Sequence, residues 1–222
     1  MNNDTLVVLV HGFTKSAMDM QYWKKHLSGD FANIITPDLP TTYSSFEDCL
    51  DKLSQDVALA RPEKFAKLHF AGHSMGGLLS REYLAKNRPD NAGRLLCVGT
   101  PHYGSKLADI ALLLPGAGMI WKPLHALKSS ARKTITSPDI AGLETGVIVS
   151  TNNGHWPGKL FLSKNSDGLV ESFSALAPDA GCVSYTNAAH VDMQYSYETA
   201  EQIRQFLLHG RFPENAAQPS GR

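Results

Sequence analysis

The stretch FAGHSMGGLLSREYL, residues 70–84, sets a single serine, Ser74, between glycines at 72 and 76. An apolar strand pattern, KLHF from Lys67, runs into it, and a helical pattern from Met75 to about Lys86 runs out of it. A chain that turns sharply from strand to helix forces the serine backbone into a strained conformation. Side chains two residues before and after would collide with the turn, so glycine is needed at both positions. The turn lifts the Ser74 hydroxyl above the carboxyl ends of the strands and sets the Met75 N–H at the helix N-terminus, where negative charge is stabilised. A glycine-rich turn with an incidental serine is the alternative; the flanking strand and helix favour a nucleophile.

Outward from this turn, the chain alternates strands and helices. Further β-rich runs are TLVVLV from Thr5, ANIITPD from Ala32, RLLCVG from Arg94, GVIVST from Gly146 and CVSYTN from Cys182. Several are continuously apolar, as strands covered on both faces must be. LFL from Leu160 reads as a further short extended piece. Phe46, Leu50, Leu53, Val57 and Ala60 share one face of a helix capped by Ser44 or Ser45 and closed by Pro62. The last helix is expected from near Asp192 to Leu208, ended by Gly210 and Pro213. The class is therefore α/β, a mostly parallel sheet with helices on both faces. Residues 1–210 read as one domain, 105–138 as an insertion of short helices, and 211–222 as a flexible polar tail.

The 222 residues carry 21 basic and 21 acidic side chains without a basic stripe, which argues against a nucleic-acid partner. Three scattered cysteines, Cys49, Cys97 and Cys182, offer neither a disulfide framework nor a zinc site. The start MNNDTLVVLV lacks a charged n-region and a cleavage site, and the longest apolar stretch, IALLLPGAGMIW, is too short to span a bilayer. The expectation is a cytoplasmic protein without a transmembrane segment.

LVHGF, GHSMGG, GTPHYGS, SDGLV and AAHVD, in that order between His11 and Asp192, resemble the α/β-hydrolase family and more narrowly its bacterial lipases and esterases. The first strand begins at Thr5, so the two leading strands of larger members look absent and the chain resembles the compact, six-stranded form. The resemblance implies a serine hydrolase that cleaves carboxylic esters through an acyl-enzyme.

A serine needs a base. Of nine histidines, His190 lies just after the last strand, where this fold keeps it. His155 is the main decoy, but it precedes the acid candidate; His11 and His73 more plausibly pack or hydrogen-bond. Asp167 in KNSDGLV is the acid, with Gly168 permitting the turn that exposes it; Glu171, Asp179 and Asp192 are rivals, and Asp192 reads as a cap of the last helix. Asp38 reads as a turn residue. The N–H groups of Phe13 and Met75 form the oxyanion hole, with Gly12 keeping that loop close to the reacting carbonyl.

For substrate contacts the candidates are His102 and Tyr103 at the rim, and Leu113, Met119 and Trp121 in the insertion, which is either a lid or acyl-pocket wall or a segment that packs on the core. A small-molecule or lipid ester is implied, with transient contact to a lipid interface. His190-Val191-Asp192 resembles secreted lipases in which the aspartate binds calcium, but STNNGHWPGKL offers no second carboxylate; no metal or cofactor is expected. An acyltransferase or thioesterase on the same residues is the alternative within chemistry, and a non-catalytic binding protein the alternative outside it.

Overall fold

The structure, a computed structural model, describes residues 2–154, 156 and 158–213. Six strands, β1 (Asn2–Val10), β2 (Phe31–Ile35), β3 (Lys67–His73), β4 (Ala92–Val98), β5 (Glu144–Ser150) and β6 (Cys182–Thr186), form one sheet in the order β2-β1-β3-β4-β5-β6. Every pairing is parallel. The chain passes from β1 to β2 on one side and then crosses back to β3 on the other. A parallel sheet opens a crevice at the carboxyl ends of its strands where the order reverses in this way. The register that pairs Val10 with Gly72 sets the loop after β1 directly beside the turn after β3.

β1 explains why its middle is apolar at every position. Leu6, Val8 and Val10 enter one core with Phe46, Leu53 and Val57 of α2 (Phe46–Leu59) and Leu79 of α3 (Met75–Asn87). Val7 and Leu9 enter the opposite core with Trp23 and Leu27 of α1 (Gln21–Leu27) and the inner face of the last helix, Ile203, Phe206 and Leu207. Successive strand residues point to opposite faces, so a sheet covered on both sides leaves no polar row. The Ser45 hydroxyl accepts from the Asp48 N–H and the Asp48 carboxylate accepts from the Ser45 N–H, a reciprocal cap that starts α2.

The segment 105–138 holds three short helices, α4 (Lys106–Ala111), α5 (Ala117–Ile120) and α6 (Leu124–Leu127). Ala108, Leu124 and Leu127 are buried in the α2–α3 core, while Leu113 and Met119 are 81% and 82% exposed. Polar ties hold its exit to α3: Arg132 pairs with Glu82 at 3.4 Å, and the Thr136 hydroxyl donates to Glu82 at 2.5 Å. Arg81 pairs with Asp179 nearby. The inner face of the segment thus packs on the body, and its outer face is exposed.

Three sequence expectations change. The residues around Leu160 form a helical turn, α7 (Gly158–Phe161), not an extended piece. After a further short helix, α8 (Ser172–Ala175), the last helix α9 spans Tyr197–His209 and is capped by Ser196, whose hydroxyl accepts from the Thr199 N–H. Asp192 is therefore not its cap; it opens a separate 3-10 turn, Asp192–Gln194. Only the first three positions of the expected 211–222 tail, and neither His155 nor its neighbour Pro157, fall within the described residues.

Candidate active site

Ser74 stands between β3 and α3 with φ 54° and ψ −123°, a region that non-glycine residues rarely occupy. Such a conformation costs on the order of 1–3 kcal/mol and persists only where the surroundings impose it. Here the Ser74 N–H donates to the Val98 carbonyl at 2.8 Å, and the Ser74 carbonyl accepts from the Gly77 N–H at 3.0 Å. The glycines are required by close approach. A Cβ on Gly72 would lie 2.4 Å from Gly77 N, and one on Gly76 would lie 2.2 Å from the Val10 carbonyl oxygen. The Met75 N–H opens α3 and has no acceptor within the helix.

Asp167 and His190 meet although 23 residues separate them. His190 Nδ1 lies 2.6 Å from Asp167 Oδ2, and both residues are nearly fully buried. A carboxylate accepts, so Nδ1 carries the proton and Nε2 keeps a free lone pair. A second bond, from the His190 N–H to the Asp167 carbonyl at 2.9 Å, fixes the backbones as well. The other carboxylate oxygen, Oδ1, accepts from the N–H groups of Leu169 at 3.0 Å and Val170 at 2.8 Å. Gly168, at φ 98°, makes the turn that brings those donors round.

The surroundings keep this pair in place. His73 Nε2 donates to the His190 carbonyl at 2.9 Å, and the two rings lie 4.8 Å apart. Burial holds the His73 imidazole well below its ordinary pKa, so it stays neutral beside His190. Trp23 donates its indole N–H to the Met193 carbonyl at 3.1 Å, pinning the turn that follows His190. Gly99, at φ 56°, lies beside the pair: a Cβ there would fall 3.2 Å from Asp167 Oδ2 and 3.3 Å from His190 Nδ1. The sequence alone gives Gly99 no role; its signal is the glycine directly after β4 that opens GTPHYGS.

Ser74 and His190 both line a cavity of about 500 Å³, and no hydrogen bond joins their side chains. Gly12, Phe13 and His73 complete the polar end. Thr14, Lys15 and Ser105 also line it, and most of the remaining wall is apolar: Leu107, Ala108 and Ala111 from α4, Trp121, Leu124 and Leu127 beyond it, and Leu169 and Val170 from the turn after Asp167. Among the residues expected to touch substrate, Trp121 lines the cavity. Leu113 and Met119 are absent from its lining and face solvent, because they lie on the outer side of the insertion. Tyr103 is partly exposed outside the lining. His102 is buried behind the site with both ring nitrogens unpartnered, and burial pushes its pKa down to about 3.

Two of the rival carboxylates, and the turn residue Asp38, have partners elsewhere. Glu171 accepts from the N–H and hydroxyl of Ser163, Asp179 pairs with Arg81, and Asp38 accepts from the Ala17 N–H at 2.9 Å. Among the described residues no group of three or more His, Cys, Asp or Glu side chains gathers as a metal ion would require. No described helix is long and apolar enough to cross a membrane.

Residues 7–139, more than half of the chain, match the family described as the Alpha/beta hydrolase family. The chain is 31% identical over 125 residues to triacylglycerol lipase 2 of Saccharomyces cerevisiae; the match covers 52% of this chain and 36% of that protein. The chain thus spans about a third of that relative's length. Among solved structures, the mature form of the Bacillus licheniformis lipase BlEst2 superposes with a TM-score of 0.72 at 17% identity, covering 94% of this chain and 92% of that one. The metagenomic carboxyl esterase MGS0156 gives 0.69 at 16% identity, covering 94% and 74%. At such identities the two structures speak for the fold.

Proposed function

Since this chain belongs to the alpha/beta hydrolase family, we propose that it hydrolyses carboxylic esters with apolar acyl groups through a serine-bound acyl-enzyme. The observation that carries the reading is the buried Asp167–His190 bond of 2.6 Å, whose imidazole lines a largely apolar cavity together with the strained Ser74. Similarity to a yeast triacylglycerol lipase supports an ester substrate.

Ser74 Oγ attacks the ester carbonyl carbon while His190 Nε2 takes the hydroxyl proton. Asp167 holds the ring in the required tautomer and stabilises its cation. The negative oxygen of the tetrahedral intermediate is held by the N–H groups of Phe13 and Met75; each such donor is worth about 10²–10³ in rate. The imidazolium protonates the departing alcohol, leaving the acyl group on Ser74. Water, deprotonated by His190, attacks the acyl-enzyme, and the carboxylic acid leaves as Ser74 regains its proton. The apolar wall of α4 and Trp121 takes the acyl chain, so discrimination among esters rests on burial of methylene groups, at about 0.8 kcal/mol each. The proton passes from Ser74 to His190 through a hydrogen bond that catalytic pairs commonly tighten in the substrate complex. The test is hydrolysis of p-nitrophenyl esters of increasing acyl length by the wild type and by Ser74→Ala. Turnover that the alanine variant lacks supports the reading; equal turnover by both contradicts it.

A further inference from the structure

The loop that carries Phe13 is restrained by a residue remote from it in sequence. The carbonyl oxygen of Gly12 accepts from the Thr41 hydroxyl at 2.9 Å, shorter than that hydroxyl's 3.2 Å to the Lys15 carbonyl, and also from His11 Nδ1 at 3.1 Å and from the Lys15 N–H at 3.3 Å. Thr41 lies on the loop after β2, is 1% exposed, and is tied back by its own N–H to the Leu39 carbonyl at 2.8 Å. The same loop sets the His11 tautomer. The Leu39 N–H donates to His11 Nε2 at 3.0 Å, which leaves the ring proton on Nδ1, facing the Gly12 oxygen. Burial lowers the His11 pKa, which keeps the ring neutral and this arrangement intact.

A trans peptide is planar, with its C=O and N–H pointing in opposite directions. Fixing the Gly12 oxygen therefore fixes the Phe13 N–H on the opposite side, and both residues line the cavity. Gly12 itself presses on the serine turn: a Cβ there would lie 3.0 Å from Ser74 Cβ and 3.1 Å from the His73 oxygen. Thr14, the residue after Phe13, is held at φ 57°, so this loop does not rest in an unstrained conformation. We propose that Thr41 is a positioning residue for the oxyanion hole: its hydroxyl, with His11, holds the Gly12 carbonyl so that the Phe13 N–H is aimed at the developing oxyanion. The inference rests on the ester-hydrolase reading above and deepens it.

The experiment compares wild type, Thr41→Val, Thr41→Ser and Ser74→Ala on one p-nitrophenyl ester, with melting curves for each. An aliphatic trifluoromethyl ketone, whose serine adduct carries an oxyanion, is titrated as inhibitor alongside the product fatty acid. Valine keeps the shape of threonine and removes the donor. A misplaced catalytic group costs up to about 10²-fold, so Thr41→Val is expected to lose about 10–10²-fold in kcat with KM within about twofold. Its affinity for the ketone should fall by a similar factor and its affinity for the fatty acid should hold. Thr41→Ser, which restores the hydroxyl, should recover most of both losses. Should the valine variant fail to fold, Thr41→Ala is read in the same way. Wild-type kcat in Thr41→Val, a serine variant as impaired as the valine one, or a rate loss with unchanged ketone affinity overturns the proposal. An inactive Ser74→Ala beside a fully active Thr41→Val overturns this inference alone, whereas an active Ser74→Ala overturns the hydrolase reading beneath it.

Discussion

Replacing Asp167 by asparagine changes one atom at the centre of the buried pair. The Asp167 carboxylate accepts from three donors: the Leu169 and Val170 N–H groups on Oδ1 and His190 Nδ1 on Oδ2. An asparagine has one acceptor oxygen. If that oxygen keeps the two backbone donors, its NH₂ meets His190 Nδ1. The ring must then accept there and carry its proton on Nε2, where the lone pair for Ser74 is needed. The opposite rotamer would set the NH₂ against two backbone N–H groups and leave them unsatisfied, at about 1–3 kcal/mol each, so the first arrangement prevails. A Ser-His-Asp site with the wrong tautomer loses about 10⁴ in kcat, equivalent to about 5.4 kcal/mol of transition-state stabilisation. The assay is kcat on a p-nitrophenyl ester at fixed pH, with Asp192→Asn as control and melting curves for both. Asp192→Asn should stay within a few-fold of wild type, since Asp167 already holds the imidazole. A folded Asp167→Asn enzyme within about tenfold of wild type, or an Asp192→Asn enzyme that is the crippled one, refutes the reasoning.

Gly76→Val should fail to accumulate as folded protein, because its Cβ would fall 2.2 Å from the Val10 carbonyl oxygen and 2.6 Å from that of His11; a soluble variant with a wild-type melting curve contradicts this. Ala108→Leu, which adds three carbons to the wall of the cavity shared by Ser74 and His190, should shift the ester preference to shorter chains; an unchanged chain-length profile would mean that α4 does not border the acyl group. Burial lowers the pKa of His69 to about 4 and of His102 to about 3, and holds His11 and His73 down as well. Below about pH 6.5 the unfolded chain binds protons that the folded one refuses, so stability should fall with pH by up to about 1.4 kcal/mol per unit for each histidine. Melting temperatures at pH 7.5, 6.0 and 5.0 check this, and an equal or higher value at pH 5.0 contradicts it.

The serine turn was legible because everything that defines it is local: a strand, two glycines, a serine and a helix within residues 67–87. The central strands were legible because burial on both faces writes a continuous apolar run. The helix α1 had no such signal. It is seven residues long and buries only Trp23 and Leu27, too few for a period to show. The four-residue α7 left Leu160 indistinguishable from a short strand. The last helix kept an apolar pattern across the break at Ser196, which hid the separate turn at Asp192–Gln194. The pairing of Asp167 with His190 followed from chain order in the resembling family. Thr41 and Gly99 did not, because their roles exist only where separate loops converge. The cavity lining was the least legible: in helices of four to six residues the sequence does not say which side meets the body, and Leu113 and Met119 are exposed whereas Ala108 and Leu124 are buried and line the cavity.

The most direct test of the account is covalent. The folded protein is incubated with a fluorophosphonate, and its intact mass and labelled peptide are determined, with Ser74→Ala and heat-unfolded protein in parallel. The account predicts one adduct per chain, on Ser74, formed only by the folded wild type and accompanied by loss of ester hydrolysis. No adduct on folded protein, or an adduct on another residue that abolishes activity, would contradict it.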